Sequence, residues 1–203
     1  MSAEDICAKY DSIADWFEEQ RTSNKRLMEK EYLDAVLERL PESGHLLDLG
    51  CGTGRPIAGY FMAAGHRVTG VDGAPAMIEK CRQDFPDMNW FVGLIQEVDI
   101  PVEFDAVIAW DSTFHMSAED QVAMFSVFQK HTMPGGTLLF TSGPDAGEAS
   151  GEMNGLEFTY ASLSPDSYRK LLHENGFEVL KHTVEDPDCG GHTVWLARRV
   201  KVK

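Results

Sequence analysis

Short apolar runs alternate with amphipathic stretches along most of this chain. "HLLDLG" (45–50), "HRVTGVD" (66–72), "NWFVG" (89–93), "FDAVIAWD" (104–111) and "GGTLLFTSG" (135–143) have the length and residue types of strands. Helical windows separate them at 56–64, 75–85 and 117–132. Strand–helix alternation of this kind predicts an α/β fold, doubly wound, with a parallel sheet and helices on both faces. Ahead of it, residues 4–39 read as helical, with Leu27, Tyr32, Val36, Leu37 and Leu40 near helical spacing, until Pro41 and Gly44.

The end of the chain has a different rhythm. "SPDSYRKLLHENG" (164–176) reads as a helix with a Ser cap, Pro at its first position and Gly176 as its stop. "FEVLKHTV" and "HTVWLARRV" follow, joined only by "EDPDCGG". A connection that short cannot make a parallel crossover, so the two strands are expected as an antiparallel hairpin. The expectation is a Rossmann-like seven-stranded sheet whose last strand is antiparallel. It forms a single domain over 1–203, with a helical cap at 1–40 and an α/β core at 45–203.

Three glycines interrupt this pattern at the first strand end. In "DLGCGTG", Gly50, Gly52 and Gly54 follow Asp48, with Cys51 between them and Pro56 just beyond. Glycines there let the backbone turn sharply and approach a ligand without a Cβ in the way. The GxGxG spacing departs from the GxGxxG of dinucleotide sites. An acid beside the turn is also unsuited to an anionic pyrophosphate. It suits a cation, such as the ammonium and sulfonium of S-adenosylmethionine. Asp72 ends the second strand, 22 residues beyond Gly50, where a carboxylate can accept from ribose hydroxyls. Cys51 itself reads most simply as a small side chain that fits.

These motifs make the chain resemble class I S-adenosylmethionine-dependent methyltransferases. The resemblance is strongest to a small bacterial group with a "WDSxFH" strand end and a "DPDCGGHT" hairpin loop. "DLGCGTG", "GVDGAPAMI", "FDAVIAWDSTFHM" and "PGGTLLFTSGP" match in order, and the likeness starts at "YDSIADWF". It implies the class I methyltransferase fold and methyl transfer from S-adenosylmethionine to a small molecule, with S-adenosylhomocysteine as product. It implies cofactor contacts at Asp48, Gly50, Cys51, Gly52, Gly54, Asp72 and Gly73, with Met77 and Trp110 beside the pocket and Tyr10 and Trp16 as a lid. Many relatives carry an aspartate after the third strand to accept from the adenine amino group. Leu94 stands there, which passes that role to Leu94, Ile95 and Gln96.

Ligands in such sheets bind at the C-terminal ends of the strands. That rule brings forward Trp110–His115, the glycine-rich segment 142–163 as a loop over the pocket, and the 185–191 loop. His115 reads either as a base or acceptor-orienting group, or as a half-buried residue bonded to a loop carbonyl. His192 is the second candidate on the acceptor side, with a structural bond across the hairpin as its simpler reading. Cys189, His192 and His182 match no zinc spacing, so no metal is expected.

Composition sets the outer limits. The formal net charge of −15 argues against nucleic acid and anionic membranes and favours a neutral or cationic small molecule. No apolar run reaches membrane length, and the four cysteines lack CxxC pairing, as in a reduced cytoplasmic protein. Two rivals remain open: a non-catalytic protein that binds S-adenosylmethionine or S-adenosylhomocysteine, and an NAD(P)-dependent oxidoreductase.

Overall fold

A computed structural model describes residues 2–23 and 26–200. The N-terminal region is three helices rather than one continuous stretch: α1 (Ala3–Ser12), α2 (Ala14–Ser23) and α3 (Lys30–Leu37). Ser2 caps α1 by accepting from the Asp5 amide, while the Asp5 carboxylate accepts from the Ser2 amide, so two otherwise orphaned donors are satisfied.

The core then alternates: β1 (His45–Leu49), α4 (Ile57–Ala63), β2 (Arg67–Asp72), α5 (Pro75–Asp84), β3 (Asn89–Val92), β4 (Phe104–Ala109), α6 (Ala118–His131) and β5 (Thr132–Ser142). After β5 come β6 (Gly147–Met153), β7 (Leu156–Ser162), α7 (Pro165–Glu174), β8 (Phe177–Asp186) and β9 (His192–Arg199). Seven strands form one sheet in the order β3-β2-β1-β4-β5-β9-β8. The pairs β1–β2, β1–β4, β2–β3 and β4–β5 are parallel, whereas β9 runs antiparallel to both β5 and β8. This is the sheet that the strand pattern predicts, closing hairpin included.

The segment expected as a loop over the pocket is instead a second, two-stranded sheet, β6–β7, paired from Gly147↔Ser162 to Met153↔Leu156. "GEASGEM" has no apolar alternation, so the strand pattern that marks the main sheet is missing from it.

Alternate residues of each strand serve opposite layers. Leu46, Val68, Ala106, Ile108 and Leu196 pack under α3, α4 and α5 through Tyr32, Leu33, Phe61 and Ile78. Leu47, Leu49, Val107, Ala109, Leu138 and Phe140 pack under α6 and α7 through Phe125, Phe128, Tyr168 and Leu172. Trp195 anchors the antiparallel edge: its ring stacks on Phe140, and its indole N–H donates to Ser142 Oγ at 3.0 Å. Among the described residues no helix is long and apolar enough to cross a membrane.

Leu47 is fully buried at the centre of the second layer. Leu47→Ala should lower the unfolding free energy by about 2–5 kcal/mol, the usual cost of a leucine-sized core cavity. Urea unfolding followed by tryptophan fluorescence measures it.

Candidate active site

The sheet reverses its winding between β1 and β4, where open α/β sheets place their ligands. A cavity of about 550 Å³ lies there, within the range of small-molecule sites. Its floor is the β1 turn. Gly50, Gly52 and Gly54 all have positive φ, at 78°, 53° and 75°. At Gly50 a Cβ would sit 2.4 Å from the Ser112 Cβ, so a side chain is excluded on two counts. Ser112 in turn donates from Oγ to the Leu49 carbonyl at 2.8 Å, tying the end of β4 to the end of β1.

Asp72 holds the turn from the other side. Its two carboxylate oxygens accept from the amides of Gly52 and Ala74, each at 2.9 Å. The Val71 carbonyl accepts from the amides of Gly50 and Cys51 at 2.8 and 3.2 Å. A carboxylate has about four acceptor positions, so Asp72 retains capacity for two more donors. Burial raises its pKa, while the two amides act in the opposite direction.

Asp48 is buried on the same floor, and its pKa is pushed up to about 7, first by burial and then by the charge of Asp72. Arg21 acts the other way on Asp48 and also lines the cavity, its guanidinium paired with the buried Glu29 at 2.5 Å.

The roof comes from α1 and the β6–β7 hairpin. Ala3, Ile6, Cys7 and Tyr10 recur at helical spacing and line the cavity, as do Met153 and Tyr160 of the hairpin. Cys7 lies so close over Gly73 that a Cβ there would meet its Sγ at 2.1 Å. Leu94, Ile95, Gln96 and Glu97 form one end wall.

His115 and His192 are in different charge states, and geometry decides both. The Thr159 carbonyl can only accept, so His115 Nδ1 donates to it at 3.2 Å. Burial holds the His115 pKa below its ordinary value and keeps the ring neutral. Its Nε2 is therefore an acceptor, and the Tyr10 hydroxyl donates to it at 2.8 Å. His192 instead faces acceptors on both nitrogens: the Cys189 carbonyl at 2.6 Å and the Asp111 carboxylate at 2.9 Å. Both nitrogens must donate, which makes it an imidazolium, with a pKa raised to about 9 mainly by the Asp111 bond. Asp111 itself has φ 51°, and Thr141 holds it by accepting from its amide at 2.8 Å.

Of the residues named from the sequence, Tyr10, Asp48, Gly50, Cys51, Gly52, Asp72, Gly73, Leu94, Ile95, Gln96, Trp110 and His115 lie on the cavity wall. Gly54, Trp16, Met77 and His192 do not. Gly54 belongs to the turn but faces Phe85 and Cys81. Trp16 packs against the cluster of Ile6, Ile13 and Phe158, and Met77 is buried with Ala14 and Ala74 under the cap. His192 reaches the site through its bond to Asp111 and its ring contact with Trp110. Asp111, Met153 and Tyr160, from the segments the strand-end rule brings forward, and Phe17, beside Trp16 in the expected lid, also line the cavity, whereas the sequence reading does not reach Cys7 and Arg21. The spacing of Phe17 and Arg21 by four residues, in phase with the α1 face, was the available signal. Among the described residues no cluster of three or more metal-ligating side chains occurs.

Residues 46–136, which span the glycine turn, β2 and β4, match the family described as "Methyltransferase domain". The match covers 91 of the chain's 203 residues, from β1 into β5, and gives the chain the likeness of a methyltransferase domain. The chain is 28% identical over 192 residues to an O-methyltransferase of Pyrenophora dematioidea, covering 87% of this chain and 71% of that one. It is 29% identical over 111 residues to the dTDP-4-amino-2,3,4,6-tetradeoxy-D-glucose N,N-dimethyltransferase of Saccharopolyspora spinosa. That match covers 54% of this chain and 44% of the relative, less than half the relative's length. Among solved structures, the 1,6-didemethyltoxoflavin-N1-methyltransferase of Burkholderia thailandensis, with 1,6-didemethyltoxoflavin and S-adenosylhomocysteine bound, superposes with a TM-score of 0.72. The match spans 99% of this chain and 92% of that one at 18% identity, a likeness of fold.

The His192–Asp111 pair has a defined pH signature. The folded-state pKa lies above the unfolded value of 6.5, so the pair's contribution is complete below pH 6.5 and is lost as pH rises through about 9. The stability gap between wild type and Asp111→Asn should therefore narrow over that window in urea titrations. NMR titration of the His192 ring should show a fall toward 6.5 in the variant.

Proposed function

We propose that the cavity holds S-adenosylmethionine across the tips of β1 and β2 and that its methyl group passes to a small-molecule acceptor under the α1–hairpin roof. The observation that carries this reading is the acid pair on the glycine floor. Asp72 keeps acceptor capacity for two ribose hydroxyls after bonding Gly52 and Ala74. Asp48 and Arg21 offer opposite charges to the ammonium and carboxylate of the methionine end. The indole N–H of Trp110 is buried without a protein partner beside the same cavity and is a further donor for that end. Leu94 and Ile95 give the adenine an apolar wall, with Gln96 and Glu97 as polar partners. An anionic diphosphate would meet Asp48 and Asp72 instead of donors, which disfavours a nicotinamide nucleotide.

When bound, the cofactor supplies an already activated methyl group, so the chain's part is chiefly to position the acceptor and exclude water. His115 holds the Tyr10 hydroxyl, and His192 holds Asp111; both act as positioning residues. The four cysteines are free thiols, consistent with a reducing cytoplasm, and the net charge of −15 favours a small molecule over nucleic acid or an anionic membrane.

Calorimetry with S-adenosylhomocysteine tests the cofactor reading. Asp72→Ala should weaken binding by about 100-fold or more, since two hydrogen bonds to a charged acceptor are lost. Wild-type affinity should fall as pH drops below about 7, approaching tenfold per unit as Asp48 takes up a proton, and Asp48→Asn should flatten that slope. Binding of NADH with indifference to S-adenosylhomocysteine would overturn the assignment. Tight cofactor binding without transfer of labelled methyl to any amine, phenol, thiol or carboxylate would mark a non-catalytic sensor.

A further inference from the structure

The cavity lining has a consistent chemical character. Besides Asp48 and Asp72 it carries Glu4, Glu97 and Asp120, with Asp111 paired to the His192 imidazolium, and among the described residues lining the cavity the only arginines or lysines are Arg21 and Arg55. Both arginines are already paired, with Glu29 at 2.5 Å and with Asp84 at 2.9 Å. Three rings face the same space: Phe114, His115 and Tyr160, with centroids 4.9–5.5 Å apart. Aromatic faces attract cations, and the acids add to that preference.

Hydrogen-bond direction adds a second, independent constraint. The Thr159 carbonyl fixes the tautomer of His115, and His115 Nε2 then takes the Tyr10 hydroxyl proton. The Tyr10 oxygen is left with lone pairs and no hydrogen to offer, so it can only accept. Asp111 is likewise an acceptor, held in a left-handed backbone conformation that side chains adopt mainly where the surroundings impose it. Thr141 and His192 occupy part of its carboxylate at 3.2 and 2.9 Å, and about half its acceptor positions remain. Two acceptors beside an aromatic wall call for a ligand with at least two N–H or O–H donors.

We propose that the methyl acceptor is a primary or secondary amine, recognised by the Tyr10 oxygen and the Asp111 carboxylate within the aromatic wall, and that the acid-lined rim excludes acceptors bearing phosphate or carboxylate groups. This rests on the methyltransferase reading given above and narrows its acceptor class. The amine arrives as its ammonium. One N–H bond breaks and that proton passes to water at the rim, where Glu4 and Asp120 are exposed. As the ammonium it donates to both the Tyr10 oxygen and Asp111; once neutral it keeps at least one N–H on the protein and its lone pair as nucleophile. The N–C bond would form as the methyl–sulfur bond of bound S-adenosylmethionine broke, leaving neutral S-adenosylhomocysteine and the N-methylammonium product. The acceptor of the Saccharopolyspora relative, a nucleotide sugar carrying a diphosphate, would not be accommodated by such a rim.

The test is calorimetric and uses the full chain saturated with S-adenosylhomocysteine. Three probes of one skeleton are compared: 2-phenylethylamine, 2-phenylethanol and phenylacetate, followed by a panel of aliphatic primary and secondary amines. Amines are expected to bind at least about tenfold more tightly than the alcohol and the carboxylate, with added salt narrowing the difference. Tyr10→Phe and, separately, Glu4→Gln should each reduce the amine-to-carboxylate ratio, and in Glu4→Gln S-adenosylhomocysteine affinity should change less than about threefold. Glu4 is an exposed residue, so its variant reports even where a cavity variant misfolds. Equal or tighter binding of phenylacetate or phenylethanol, or no binding by any amine, overturns the proposal and leaves the cofactor reading intact. Failure of S-adenosylhomocysteine itself to bind overturns both.

Discussion

Everything at this site depends on how one carboxylate is shared. Asp72 sits at the tip of β2 and accepts from the amide of Gly52, in the turn after β1, and from the amide of Ala74, at the entry to α5. Together with the Val71 carbonyl, which accepts from Gly50 and Cys51, that group fixes the glycine turn relative to its neighbouring strand. With Asp72 neutralised, the Gly52 and Ala74 amides would each lose an ionised acceptor, and charge-assisted bonds are roughly twice as strong as neutral ones. Burial works against the ionised form and the two amides work for it. The turn and the charge therefore support each other.

The same logic of compensated charge extends across the cavity. Asp48 is buried close to Asp72, and burial first, then the charge of Asp72, raises its pKa to about 7. Two neighbouring acids resist ionising together unless a cation joins them. Arg21, brought in from α2 and braced by Glu29, supplies part of that. On the other side of the cavity Asp111 meets the His192 imidazolium and is balanced within the protein. One wall is thus internally neutralised, and the other leaves charge for a ligand to satisfy.

Much of this architecture was legible in the sequence because it rests on local chemistry. Alternation of apolar runs and helical windows fixed the winding of the sheet. A seven-residue connector between the last strands forced an antiparallel pair, as observed for β8 and β9. Glycines after a strand that ends in Asp48 and Leu49, with Asp72 at the right remove, marked the floor of the cavity. The roof was harder to read. β6 carries glycines and glutamates on an exposed ribbon, and only pairing with β7 makes it a strand. Met77 has the spacing of a pocket residue, but the position of α1 and α2 over α5 turns it into core. The opposite charge states of His115 and His192 were beyond reach of sequence, since each depends on a carbonyl from a distant or folded-back segment.

The contact between Gly50 and Ser112 has a consequence for descent. A side chain at 50 would occupy the space of the Ser112 β-carbon, while the serine hydroxyl bonds the carbonyl just before that glycine. Neither position can drift alone without disturbing the other. Lineages that keep this turn should inherit the two as a linked pair, and a change at one should be tolerated only in company with a change at its partner.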